Sequence, residues 1–130
     1  MDSARIGDLP GLLRTLADDM STLPDPAILP RVVNWRVLWD EDADTLAVHA
    51  QLSLGFSADD LDRIAAINQW ATALGGAVRL GDEVAAPDYY WRRLAAVAEL
   101  PGGLRAEVWT HLTYQLPTGA VTTAARLLAA

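Results

Sequence analysis

The sequence predicts one α+β domain, a two-layer sandwich in which a mainly antiparallel sheet of about five strands carries its helices on one face. Three observations carry this expectation. Apolar residues recur at helical spacing over 9–23 and 61–74, and they alternate at a period of two over 32–53 and 89–116. The 130 residues suit one hydrophobic core and are too few for two comfortable ones. The expected order is α-β-β-α-β-β-β, followed by a short C-terminal helix.

Leu9, Leu12, Leu13, Leu16, Met20 and Leu23 set the first helix, over 9–21, with Asp8 placed to cap it and Pro10 tolerable in its first turn. Pro24, Pro26 and Pro30 then stop both helix and central strand, so 24–30 reads as an extended connector. A hairpin over 32–53 follows. Val33, Trp35, Val37 and Trp39 form one row of its first strand, Asn34 and Arg36 the other, and the acidic run Asp40–Asp44 makes the turn. Matching the apolar rows sets Val37 opposite Leu46 and Trp35 opposite Val48, with His49 beside Asn34.

Ser57 and Asp60 read as a capping pair for a second helix over 58–74, whose apolar row is Leu61, Ile64, Ile67, Ala71 and Leu74. Gly75-Gly76 supplies a left-handed stop. A short strand over 77–80 leads to an acidic loop over 82–88. The last hairpin spans 89–116 and turns at Pro101-Gly102-Gly103, where proline presets the turn and glycine allows positive φ. A three-residue loop sets Leu100 opposite Leu104 and Glu99 opposite Arg105. Tyr90, Leu94, Ala96 and Ala98 then share a face with Ala106, Val108, Leu112 and Tyr114. Residues 121–128 have helical spacing and are expected to make the short terminal helix.

Composition narrows the function classes. The chain has no cysteine, hence no disulfide framework, thiolate nucleophile or cysteine-based zinc site. Charged residues break up the first twenty positions, so no export signal is expected and the expected location is cytoplasmic. The longest uncharged stretch, Val108–Ala125, is too polar to cross a membrane. A net charge of -7, with ten scattered arginines as the basic residues, argues against direct nucleic-acid binding. Walker, dinucleotide-fingerprint, G-x-S-x-G and H-E-x-x-H motifs are all absent from the sequence. Asp18/Asp19 and Asp59/Asp60 fall at helix ends and Asp40–Asp44 in a turn, where acids serve local structure. No cofactor is expected.

The polar row of the last hairpin holds Tyr89, Trp91, Arg93 and Ala95 on one strand and Glu107, Trp109, His111, Thr113 and Gln115 on the other. Tryptophans beside arginine on a face away from the helices are the residue types that anchor interfaces. Trp91, Arg93, Trp109 and His111 are therefore the candidate binding residues, joined by His49 and Gln51 from the polar row of the first hairpin. The expected function is an interaction or regulatory module that binds a protein partner or a second copy of itself, without catalytic activity.

Two resemblances add to this. Asn68-Gln69-Trp70-Ala71-Thr72-Ala73-Leu74-Gly75-Gly76, together with Leu100-Pro101-Gly102-Gly103 and Val108-Trp109-Thr110-His111, resembles small proteins of actinobacterial genomes and their mobile elements, a group from which no functional residue carries over. The order strand, helix, strand, strand, strand over Thr45–Leu116 is similar to one module of the vicinal-oxygen-chelate superfamily. That resemblance implies a metal ligand on the first strand of the module and another on the last. His49 and His111 occupy such strands, although the usual last-strand ligand is a glutamate and only one module is present. It makes a metal-dependent or small-molecule-binding homodimer the alternative function. A third expectation is an acidic inhibitor or nucleic-acid mimic, based on the net charge alone.

Overall fold

The structure is a computed structural model that describes residues 9–42, 44–55, 58–85 and 90–114. Among the described residues, two helices, α1 (Leu9–Met20) and α2 (Asp60–Leu74), accompany strands β1 (Val32–Asp40), β2 (Thr45–Leu52), β3 (Ala77–Ala85), β4 (Tyr90–Glu99) and β5 (Arg105–Tyr114). A single 3-10 turn, Pro26–Ile28, lies in the proline-rich connector. The strands form one sheet in the order β1-β2-β5-β4-β3. Neighbours run antiparallel except β2 and β5, which are parallel. The α+β sandwich read from the sequence is the fold observed.

The last hairpin has the expected register. Leu100 N–H donates to the Leu104 carbonyl at 2.7 Å, and Gly103 N–H donates back to Leu100 at 2.8 Å. Gly103 takes φ of 92°, which a side chain would strain. Glu99 pairs with Arg105, Ala96 with Val108 and Tyr90 with Tyr114. All even-numbered residues from Leu94 to Leu112 on the two strands thus face one way, and those from Leu94 to Ala98 and from Ala106 to Leu112 are buried.

That even row is the floor of the main core. Ile64, Ile67, Trp70 and Ala71 of α2 pack with Leu94, Ala96, Val108 and Leu112, and Ala50 and Leu52 of β2 complete the cluster. Alanine on the strands lets the helix approach closely while the bulk comes from Ile67 and Trp70. Trp70 is 1% exposed, and its Nε1–H donates to the Pro30 carbonyl at 2.8 Å, tying the connector to the core. The cap of α2 differs from the expected Ser57/Asp60 pair. Asp59 accepts from Asp62 N–H at 2.9 Å and Asp62 accepts from Asp59 N–H at 3.0 Å, because the helix starts at Asp60, two residues later than expected. Ser57 lies outside the described residues, and Leu61, expected inside, is exposed.

A smaller cluster of Leu100, Leu104 and Ala106 sits under Leu16, Leu23 and Leu46 at the turn end of the hairpin. Asp19, only 3% exposed, accepts from Gly102 N–H at 2.7 Å and Leu104 N–H at 3.4 Å. An acid of α1 therefore satisfies backbone donors of a turn more than eighty residues away. Leu9 and Leu13 of the same helix remain exposed.

Three local expectations are corrected. In the first hairpin Val37 pairs with Val48 and Trp39 with Leu46, two residues away from the expected register, and His49 faces Arg36 instead of Asn34. The strands close on the pair Asp40–Thr45 around a longer turn than the expected register allows, and a bulge between Val33 and Arg36 then shifts the ladder by one residue. Asn34 sits in that bulge at φ of 56°, a conformation asparagine tolerates better than most side chains. Trp35 and Val37 are 44% and 52% exposed, since α2 lies over the other strands. Finally, β3 continues to Ala85 where an acidic loop was expected, because a register shift after Leu80 accommodates Gly81-Asp82 and the ladder resumes at Glu83–Arg92. The terminal helix over 121–128, Tyr89 and Gln115 lie outside the described residues.

Candidate functional site

Strand alternation puts the odd-numbered residues of β4 and β5 on the face opposite both described helices. Trp91, Arg93, Trp109 and His111 occur there together, as expected. Because β2 lies beside β5, His49 comes level with Glu107 and Gln51 level with Trp109, so both hairpins contribute to one surface.

Glu107 organises its centre. Its Oε2 accepts from Arg93 Nη2 at 2.6 Å and lies 3.2 Å from His49 Nδ1. To reach it, Arg93 lies across the indole of Trp109, with Cζ 4.3 Å from the ring centroid. The guanidinium is thus held by a charge-assisted hydrogen bond and a cation–π contact together. His111 continues the stack, 4.3 Å from Trp91 and 5.1 Å from Trp109 between centroids. Burial, and secondarily the charge of Arg93, hold the His111 imidazole below its ordinary value of 6.5, favouring the neutral ring. The row is half-buried, although neither described helix covers it.

A cleft of about 300 Å³ opens beside Trp109. Arg93 and Trp109 form one wall, and Arg36, Leu38 and Asn34 of β1 face them across His49 and Gln51. The Asn34 amide donates to Gln51 Oε1 at 3.2 Å. A second cleft of about 340 Å³ begins on the far side of Gln51, between the end of β2 and residues Thr110–Thr113.

His49 and His111 do not converge. His111 lies four residues beyond the position level with His49, roughly 13 Å along the strand. The side chain that meets His49 is Glu107, and among the described residues no group of three or more potential metal ligands gathers. Glu107, Arg36 and Asn34 were missing from the candidate set. Glu107 was visible in the polar row, but its partnership with His49 depends on the parallel β2–β5 contact, which strand order alone does not disclose.

No protein-family model matches this chain. Nor does any curated protein or solved structure show significant similarity to it. The site therefore rests on its own geometry. The described helices include none long and apolar enough to cross a membrane.

Proposed function

We propose that this protein is an interaction module, without catalytic activity of its own, that docks a protein partner or a second copy through the Trp91–Arg93–Trp109–His111 face. One observation carries the reading. Two tryptophans, a stacked arginine and a stacked histidine lie on the sheet face that neither described helix packs against. Large aromatics and arginine dominate binding energy because they bury much area with few rotatable bonds. Their mutual stacking holds them in place before a partner arrives, lowering the entropy cost of docking.

The test is a comparison of wild type with Trp91→Ala and Trp109→Ala. Sedimentation velocity reports self-association, and quantitative co-purification from the native cell reports a partner. Folded variants that lose the assembly support the reading. Variants that unfold, or that keep every associated species, overturn it.

A metal-dependent, vicinal-oxygen-chelate-like homodimer is the second reading. It is favoured by the His49–Glu107 contact, which joins the first and last strands of the β2-α2-β3-β4-β5 module. It is disfavoured by Arg93, whose cation is bonded to the same carboxylate oxygen. A stoichiometric divalent ion in purified protein, lost in both His49→Ala and Glu107→Ala, would establish it. The acidic-mimic reading has less support, since Asp59 and Asp62 cap α2 while Asp60 and Asp40 pair with Arg63 and Arg105.

A further inference from the structure

We infer that the segment docking on this face carries an aspartate or glutamate whose carboxylate seats in the cleft between Arg36 and Arg93. This rests on the interaction reading above and specifies the partner's chemistry. The chain holds 17 acidic residues against 10 basic ones, yet the cleft is lined by two arginines and a histidine and by no carboxylate. Glu107, at its edge, balances only one of the two guanidinium charges. The Arg36 side chain is exposed and makes no ion pair or hydrogen bond with any described residue. Arg93 commits Nη2 to Glu107 and a flat face to Trp109, which leaves further N–H groups for an acceptor.

The amides point to the same chemistry. Asn34 uses its NH2 on Gln51 Oε1, so the Gln51 NH2 remains available as a donor beside the two arginines. Asn34 reaches that position from the β1 bulge, where its positive φ interrupts regular alternation. Bulges re-aim side chains in this way, and here the bulge places a polar side chain on the rim of the cleft. At about 300 Å³ the space is at the lower end of ligand cavities and has room for a carboxylate side chain of a docking segment. A nucleic-acid phosphate is the poorer match, because the rest of a polyanion would run along a molecule of net charge -7.

The probes are capped tripeptides, acetyl-Gly-Glu-Gly-amide and its Gln counterpart, titrated into full-length protein at low salt. Indole, side-chain amide and arginine Nε–H signals report binding by two-dimensional NMR. The Glu peptide should bind saturably and about tenfold more tightly than the Gln peptide, the ratio expected for hydrogen bonds to a charged group. Arg36→Gln should abolish that preference in a protein whose remaining spectrum is unchanged, and Arg93→Gln should do the same. Added salt should weaken it. Equal shifts from both peptides, or an unchanged preference in Arg36→Gln, would overturn the inference, as would stronger competition by oligothymidylate. If the tryptophan variants lose assembly while the peptides are not distinguished, the docking face stands and the carboxylate inference fails. If the peptides are distinguished while assembly ignores the tryptophans, the carboxylate site stands and the docking face fails.

Discussion

The two side-chain rows of the β4–β5 hairpin share one backbone and one register but differ in what surrounds them. The even row, from Leu94 and Ala96 to Val108 and Leu112, is nearly dry beneath α2. The odd row, from Trp91 and Arg93 to Trp109 and His111, is half-buried without either described helix above it, its members stacked on one another and tied by the Arg93–Glu107–His49 bridge. Small residues therefore sit where the fold needs close packing, while two of the largest lie where no described helix requires them. Hydrophobic size alone does not locate a core; the cover does.

Substitutions on the two rows should separate most sharply in stability. Leu94→Ala leaves a cavity at a site that is 0% exposed and should cost about 2–5 kcal/mol, read by urea denaturation. The same truncation at Trp91 should cost far less. Next in size is Asp19→Ala at the turn end. Losing a buried acceptor orphans the Gly102 and Leu104 amides, for a cost of about 1–3 kcal/mol and faster hydrogen exchange at Gly102.

Smaller effects belong to the odd row. Glu107→Gln removes the charge shared by Arg93 and His49, and because the groups are partly exposed the expected cost is about 1 kcal/mol or less. A loss of several kcal/mol would mean that the bridge is part of the folding core. His111 should contribute a pH dependence. Its folded pKa lies below its ordinary 6.5, so the unfolded chain binds the proton more readily as pH falls through that value. The stabilisation is present above about 6.5 and declines below it, down to the folded pKa. His111→Gln should flatten this acid limb in denaturation curves measured between pH 5 and pH 8; an unchanged limb would assign it to other groups.

The last hairpin was legible in the sequence because Pro101-Gly102-Gly103 fixes loop length and register locally, and alternation then sorts Trp91, Arg93, Trp109 and His111 onto one face. The first hairpin was less so. An acidic run fits several loop lengths, and nothing in the sequence marks Asn34 as a left-handed bulge residue, so the expected register was two residues off. The meeting of His49 with Glu107 depends on β2 lying beside β5, a contact between segments more than fifty residues apart. Neighbouring residues fix turns and rows; the edge-to-edge partners of a sheet are chosen by the whole core.

The difference between the rows is tested most directly by the double variant Trp91→Ala/Trp109→Ala, measured by urea denaturation and sedimentation velocity on one preparation, with co-purification alongside. The expected result is a cooperative transition within about 2 kcal/mol of wild type, toward the modest end of large-to-small substitutions, together with loss of the wild-type assembly. An unfolded variant, or a folded one that keeps its associations, would contradict the assignment of this face to docking.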